Sequence, residues 1–284
     1  MKNSLKTTFL MALMTILFVY MGRWIGGQQG MYIAFALAAG MNFFAYWFSD
    51  RWVLAKYRAH QVSEAQAPSL HRIVRTLSHK AGLPMPKVFV LPNATPNAFA
   101  TGRNPQHAAV AVTTGILELL DDEELSGVIG HELGHIQHRD ILIGSVAATF
   151  AGAIGMLASM ARFAAIFGGG TSSSHDHRRS NPVALLVTAV VAPLGATLIQ
   201  MAISRSREFE ADRAGAALSG NPLHLARALK KLEMGSSHIP MDASPSTAHM
   251  FIVNPLRMDR WSSLFRTHPS TEERIERLTQ MAYR

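Results

Sequence analysis

The 284-residue sequence contains no cysteine, which excludes thiolate metal ligands, a cysteine nucleophile and structural disulfides. It also lacks the G-x-S-x-G pattern of many serine hydrolases and the glycine-rich loops, G-x-x-x-x-G-K and G-x-G-x-x-G, that bind nucleotide phosphates. Catalysis by a cysteine or by a serine of that type, and nucleotide binding through such loops, are therefore excluded as explanations of this chain.

Charged residues are scarce as well, at 16% of the chain against 48% hydrophobic residues. Four stretches carry no charge at all, namely residues 7–22, 24–49, 141–161 and 180–204. Each supplies most of the roughly 20 residues that a helix needs to cross about 30 Å of hydrocarbon. We predict four transmembrane helices in two hairpins, the first turning near residues 26–30. No A-x-A cleavage site follows the first stretch, so a removable signal peptide is disfavoured.

The basic residues near these stretches predict the orientation of the chain and its surroundings. With the N-terminus in the cytoplasm, eight lysines and arginines flank the stretches on the inner side and four on the outer side. This excess favours a cytoplasmic N-terminus, although Arg178 and Arg179 argue against it. Anionic lipid head groups explain the net charge of +8, and no stripe of base-stacking aromatic residues accompanies it. A lipid bilayer is therefore the predicted partner, and nucleic acid is not.

The pentapeptide His131-Glu132-Leu-Gly-His135 carries the most chemical information. Two histidines four residues apart on a helix project from the same face, so both imidazoles can bind one metal ion. Glu132 lies beside them, where it can take a proton from water as a general base. The pattern is typical of zinc hydrolases. Its plain alternative is a surface helix with two incidental histidines.

The residues around this motif favour a buried helix. Acidic residues at 121–124 precede apolar residues at 125, 128, 129, 133 and 136, a pattern typical of a capped helix with one buried stripe. Gly130 and Gly134 permit close approach by another element, which we expect to be a strand on one side.

Residues 51–140 have the pattern of a compact α+β segment. An amphipathic helix is predicted over residues 68–82, followed by short strands at 88–91, 97–101 and 109–112. A small sheet beside the metal helix would offer an edge to which an extended peptide can add as a further strand. Residues 97–100 are the candidate edge, with Asn97 and Phe99 as candidate substrate contacts. An ordinary core strand is an equally weighted alternative.

The third metal ligand has to come from elsewhere, because a catalytic zinc ion usually takes three protein ligands. His138 follows His135 by three residues, but an unbroken helix carries it a further turn away, and no glycine turns the chain there. Glu208 and Asp212 lie four residues apart after the fourth stretch. We predict Glu208 as the ligand and Asp212 as the carboxylate that fixes a ligating imidazole. Glu210 faces away from this pair.

The predicted topology allows these two sets of residues to meet. Two membrane crossings separate His135 from Glu208, so the chain returns to the same membrane surface. The neighbouring arginines are predicted to anchor the chain at the membrane interface, with a role in substrate binding as the alternative. These are Arg205, Arg207 and Arg213.

The reaction also needs a donor for the oxygen of the attacked carbonyl group. Such a donor about 3 Å away commonly contributes a hundredfold or more in rate. We predict His268, which precedes a final helix opened by the capping box Ser270-x-x-Glu273. Asn97 and His249 are alternative donors. A histidine that only packs against or caps this turn is the plain alternative.

Four strings of residues resemble the HtpX family of bacterial integral-membrane zinc metallopeptidases, gluzincins that are distantly related to the CAAX prenyl proteases. The resemblance covers nearly the whole chain, and the Arg-Glu-Phe-x-Ala-Asp string is far more specific than H-E-x-x-H. The strings are His131-Glu-Leu-Gly-His135, Ser204-Arg-Ser-Arg-Glu-Phe-Glu-Ala-Asp212, Pro96-Asn-Ala-Phe-Ala-Thr-Gly102 and Thr267-His-Pro-Ser-Thr-Glu-Glu-Arg274.

The resemblance implies one zinc ion per chain, bound by His131, His135 and Glu208, with Glu132 as the catalytic base. It also implies a multi-pass protein of the bacterial inner membrane with a cytoplasmic active site. The implied role is quality control under stress, with unfolded or damaged membrane proteins as substrates and other quality-control components as further partners.

Together these observations predict a mostly helical α+β protein, with four transmembrane helices and a gluzincin-like catalytic domain that contains a small sheet. The predicted parts are a membrane hairpin (1–50), the first catalytic part with the metal helix (51–140), a second hairpin (141–204) and a second catalytic part with the third ligand (205–284). An inactive scaffold with a structural zinc site is one rival, and the intact Glu132 argues against it. A transporter is the other, and the four stretches lack the ionisable residues that it would need.

Overall fold

The computed structural model describes residues 2–167, 205–239, 241, 243–244, 246–255 and 269–283. Helix α1 (Lys2–Lys56) consists of two arms, and the backbone leaves helical geometry between them at Gly26 and Gly27. Gly27 has φ 60° and ψ −143°, a conformation that glycine adopts far more readily than other residues. The arms pack so closely that a Cβ atom on Gly30 would clash with the carbonyl oxygen of Gly22. The first predicted hairpin therefore forms, with its turn at the start of the predicted range.

Both arms are long and apolar enough to cross a membrane, over Leu5–Trp24 (20 residues) and Gly26–Lys56 (31 residues). Less than a fifth of each apolar window is buried inside the protein. The exposed surface includes large aromatic side chains such as Phe9, Tyr20 and Trp24. An apolar surface of this extent is consistent with anchoring in a lipid bilayer.

Four short strands form one mixed sheet, namely β1 (His60–Gln61), β2 (Lys87–Leu91), β3 (Ala98–Gly102) and β4 (Ala108–Thr113). Their order across the sheet is β1-β2-β4-β3. Strands β2 and β4 are parallel, and the two outer pairs are antiparallel. The three predicted strands are present with boundaries shifted by at most one residue. The strand β1 has only two residues, too few to show alternation in the sequence, and it was not predicted.

The metal helix α4 (Asp122–Gln137) lies at the centre of the core. A capping box between Asp121 and Glu124 closes its N-terminus, in agreement with the predicted capped helix. Eleven of its 16 residues are buried, well beyond the single predicted stripe, because helices and the sheet surround it. The helices packed against it are α2 (Pro68–Lys80), α6 (Arg205–Ser219) and α7 (Pro222–His238).

Glycines let α4 and α6 approach each other closely. A Cβ atom on Gly130 would lie 3.0 Å from Cα of Gly215, and one on Gly134 would lie 3.1 Å from Cα of Ala211. The expectation of a strand at this face of α4 was wrong, because these glycines face a helix. The close packing matters for the site, since Glu208 lies in the first turn of α6.

The remaining helices of the described ranges are α3 (Thr114–Leu119), α5 (Ile141–Phe167) and α8 (Thr271–Ala282). Helix α5 follows the metal helix directly, and its Val146 and Phe150 pack against Leu10 and Met14 of α1. The prediction of a mostly helical α+β protein is confirmed for these ranges. The fourth predicted span (180–204) and His268 lie outside the described residues.

Candidate active site

The three predicted metal ligands meet at the interface of α4 and α6. Nε2 of His131 and Nε2 of His135 are 3.2 Å apart. The carboxylate oxygens of Glu208 lie 3.8 Å from the first and 3.6 Å from the second. Ligands bonded at about 2.0–2.1 Å to a tetrahedral zinc ion stand roughly 3.3 Å apart, so these separations are of the right size. His138 is not part of this group and forms the exposed C-cap of α4.

The other ring nitrogen of each histidine faces a carboxylate. Oδ1 of Asp212 lies 3.0 Å from Nδ1 of His131, and Oδ2 of Asp140 lies 3.2 Å from Nδ1 of His135. A carboxylate accepts a hydrogen bond, so each neutral ring carries its proton on Nδ1 and its lone pair on Nε2. Two lone pairs 3.2 Å apart repel unless a proton or a metal ion lies between them. The residues present therefore fit a zinc ion.

The two histidines differ in protonation. Burial lowers the pKa of His131 to about 4, because its hydrogen bond with Asp212 offsets only part of the effect. Burial also lowers the pKa of His135, but the Asp140 hydrogen bond and the charges of Glu208 and Glu132 outweigh it and raise that pKa to about 9. At neutral pH His135 thus holds a proton that a metal ion would displace on binding.

Glu132 is buried in the wall of the same cleft, with 1% of its surface exposed. Burial raises the pKa of its carboxyl to about 7, since the charge of His135 and the backbone N–H of Ala100 only partly oppose it. A carboxyl that titrates near neutral pH is suited to take a proton and to return it. The structure thus places the predicted base beside the predicted ligands.

The cleft over these residues has walls from several parts of the chain. Helix α5 contributes Ile141 and Gly144, and residues 249–252 after helix α7 close another side. The ring of His249, which was an alternative donor, lies with Nε2 3.2 Å from the carbonyl oxygen of Gly144. His268, the preferred donor, lies outside the described residues, so its placement stays a prediction.

The outer edge of β3 is partly covered by a later segment of the chain. The backbone N–H of Ile252 donates to the carbonyl oxygen of Ala98 at 3.1 Å. The side chain of Asn97 donates from Nδ2 to the carbonyl oxygen of Val253 at 2.8 Å. Asn97 is 0% exposed, so its polar atoms hold this segment and are closed to a substrate in this conformation.

Phe99 also differs from its expected role. Its side chain is 0% exposed and packs against the rings of Tyr57 and Phe251. It therefore lies on the core face of β3, because alternate residues of a strand point to opposite faces and this face is covered. Ala100, one residue further along, lines the cleft.

Three charged residues around the ligands were missed or misplaced by sequence reasoning. Asp140 faces His135, and Nη1 of Arg207 lies 3.8 Å from Asp140. Arg207 is 7% exposed and lines the cleft, so its predicted role as an interfacial anchor was wrong. Arg205 and Arg213 are exposed.

Arg274 is the third of these residues. It donates to both oxygens of Asp212, at 2.9 Å from Nε and 2.6 Å from Nη2. Burial raises the pKa of Asp212, but Arg274 and His131 outweigh it and lower the pKa to about 2. The sequence held one signal, since Arg274 ends one of the four strings that resemble the HtpX family.

Comparison with known proteins agrees with this geometry. Residues 64–282 match peptidase family M48, which is more than half of the chain. The chain belongs to peptidase family M48. It is therefore a metallopeptidase, as the sequence predicted.

Close relatives extend the match over the full length. A protease HtpX homolog of Syntrophobacter fumaroxidans is 55% identical over 282 residues, covering 99% of this chain and 100% of the relative. Another, of Thermodesulfovibrio yellowstonii, is 56% identical over 284 residues, covering 99% of each chain. The predicted resemblance to the HtpX family is confirmed, and the chain is similar to membrane metalloproteases throughout.

Among solved structures, the crystal structure of S. mikatae Ste24p has a similar fold, with a TM-score of 0.53 and 20% sequence identity. The match covers 98% of this chain and 65% of that chain, so about a third of Ste24p has no counterpart here. This likeness concerns the fold.

Proposed function

We propose that this chain is a membrane-bound zinc endopeptidase that hydrolyses peptide bonds at the junction of α4, α6 and β3. The observation that carries the proposal is the convergence of two Nε2 atoms and one carboxylate on a single point. The buried carboxyl of Glu132 lies beside that point. The membership in a metallopeptidase family supports it.

His131, His135 and Glu208 would hold one zinc ion, leaving a position open toward the cleft. A bound zinc ion supplies Lewis acidity, which makes water a stronger acid and a carbonyl group a stronger electrophile. Asp212 and Asp140 keep the two rings in the Nδ1–H tautomer, so that each Nε2 is available as a ligand.

Glu132 would act as the proton carrier of the reaction. Its carboxylate takes a proton from the attacking water and returns it to the nitrogen of the leaving amine. The pKa of about 7 that burial gives Glu132 suits both transfers at neutral pH. The N–H of Ala100 holds the carboxylate in place. His268, as the predicted donor to the carbonyl oxygen, would complete the set, and the turnover of His268→Ala protein tests it.

The substrate would bind in an extended form along the outer edge of β3. In the antiparallel pair with β4, every second residue of β3 directs its backbone N–H and C=O to the outer edge. The bond from Ile252 to Ala98 places Ala98, Ala100 and Gly102 in that set. Ile252 takes the position beside Ala98. We therefore assign the substrate contacts to the carbonyl oxygen of Ala100, whose N–H donates to Glu132, and to the backbone of Gly102, in place of the side chains of Asn97 and Phe99.

The proposed setting is the bacterial inner membrane, with four spanning helices and the active site on the cytoplasmic side. The two arms of α1 and the apolar helix α5 support this topology. Residues 1–50 and 141–204 would form the membrane hairpins, and 51–140 and 205–284 the two catalytic parts. Unfolded or damaged membrane proteins are the proposed substrates, and other components of membrane quality control are proposed partners.

Removal of the metal is expected to abolish the activity reversibly. The purified wild-type protein should contain one zinc ion per chain and digest casein, and 1,10-phenanthroline should stop the digestion. Adding zinc after removing the chelator should restore it, because the ligands are preformed. Elemental analysis and casein cleavage measure both quantities. Digestion that continues in metal-free protein would refute the zinc mechanism.

The proposed topology predicts which positions are accessible from each side of the membrane. Single cysteines at Lys56 and Gln280 in this cysteine-free chain should react in inverted vesicles and not in intact cells treated with a membrane-impermeant reagent. A cysteine at Gln28, exposed at the turn of the first hairpin, should react from the other side. Labelling of positions 56 and 280 from opposite sides would rule out an even number of crossings between them.

A further inference from the structure

Arg274 is the largest fully buried side chain among the described residues, with 2% of its surface exposed. It lies in the first turns of α8, on the stripe that faces the core. A guanidinium group keeps its charge at any physiological pH, and burying it is strongly unfavourable unless its donors are paired. Its surroundings must therefore offset that cost.

The partners of Arg274 satisfy both ends of the guanidinium group. Nε and Nη2 donate to the two oxygens of Asp212 at 2.9 Å and 2.6 Å, a bidentate arrangement that fixes a carboxylate in orientation as well as in position. Nη1 donates to the carbonyl oxygen of Ile252 at 2.9 Å. Arg274 thus joins helix α8 to α6 and to the cleft wall.

The same carboxylate orients a metal ligand. Oδ1 of Asp212 receives Nη2 of Arg274 at 2.6 Å and faces Nδ1 of His131 at 3.0 Å. Nη2 lies only 3.4 Å from Nδ1, so both donors converge on one oxygen atom. We propose that Arg274 is a positioning residue for the metal centre, which acts through Asp212 to hold the ring of His131. This inference rests on the proposed zinc site.

The second histidine has a looser support, which makes the two halves of the site unequal. Nδ1 of His135 lies 3.2 Å from Asp140, and Arg207 lies 3.8 Å from that carboxylate. The side chain of His135 is 17% exposed, against 1% for His131. His131 is therefore the more deeply buried of the two ligands, and Arg274 is the residue that holds its carboxylate partner.

The test compares zinc affinity in full-length protein in detergent micelles, by competition with a chromophoric chelator. Arg274→Lys keeps the positive charge but loses the bidentate hydrogen bonds of the guanidinium group to Asp212. Its zinc dissociation constant should therefore rise about 10–100-fold, the usual effect of losing the hydrogen bonds that orient a metal ligand. Arg277→Lys is the matched control on the same helix. Its side chain is 50% exposed and pairs with Glu273, so its zinc affinity should equal that of the wild type.

Two further measurements separate positioning from a purely structural role. Arg274→Lys/Asp212→Asn should bind zinc about as weakly as Asp212→Asn alone, because Arg274 acts through that carboxylate. If the zinc affinity of the double variant fell by the product of the two single-variant losses, the result would contradict the proposal. The visible spectrum of the cobalt(II)-substituted protein should change in Arg274→Lys and stay unchanged in Arg277→Lys, since it reports the geometry of the ligands.

If Arg274→Lys fails to fold, the apolar pair Arg274→Met/Asp212→Leu decides the question. Replacing a buried ion pair by apolar residues of similar size is often neutral for stability. The folded pair variant should still bind zinc about 10–100-fold more weakly, because His131 has lost its acceptor. Wild-type affinity in either variant would overturn the role of Arg274. A wild-type protein that binds no zinc would instead overturn the proposed function.

Discussion

Glu132→Gln protein is expected to keep its zinc ion and to lose peptide hydrolysis by a factor of roughly 10²–10⁴, the usual contribution of a general base. Glutamine has nearly the same shape as glutamate, so it fits the buried position without a cavity. Its amide cannot take a proton from water. The zinc content should stay at one ion per chain, because the metal group consists of His131, His135 and Glu208.

Casein digestion and elemental analysis of the same preparation measure this effect. Glu123→Gln is the matched control, because Glu123 lies on the same helix as Glu132 and its side chain is 68% exposed. The control should digest casein like the wild type. Stoichiometric loss of zinc in Glu132→Gln would instead make Glu132 a part of the metal site.

Glu208→Ala protein is expected to lose both zinc and activity. Glu208 is the only one of the three proposed ligands that α6 supplies, and two histidines alone leave a catalytic zinc site one ligand short. The side chain is 7% exposed, so its removal also leaves two imidazoles facing each other without the balancing negative charge. Zinc content after dialysis should fall close to zero, and casein digestion should fall with it.

Glu210→Ala provides the control, since Glu210 lies two residues further along the same helix and is exposed. Its zinc content and activity should match those of the wild type. If Glu210→Ala lost zinc while Glu208→Ala kept it, the argument from the faces of α6 would be wrong.

Much of this site could be predicted because its key pairs are local. His131 and His135 lie one helical turn apart, as do Glu208 and Asp212, so spacing alone placed each pair on one face of a helix. The predicted capped start of α4 at Asp121 likewise depends on contacts within four residues. Short strands bounded by Pro, Asn and Gly were readable for the same reason.

The features that were not predicted depend on contacts between distant parts of the chain. Arg274 and Asp212 are 62 residues apart, and Asn97 and Val253 are 156 apart. No local pattern shows that a buried arginine will find a buried carboxylate, or that a later segment will cover the edge of β3. Arg207 was misplaced because an arginine beside an apolar stretch has the same sequence pattern at a membrane surface as in a cleft.

The order in which the chain is synthesised gives the spacing of Arg274 a further consequence. The metal motif leaves the ribosome first, Glu208 and Asp212 follow about seventy residues later, and Arg274 follows 62 residues after Asp212. A nascent chain that has folded through α6 thus has its ligands without the contact that steadies His131. On the proposed role of Arg274, the zinc site is therefore expected to reach its full affinity only after residue 274 has left the ribosome.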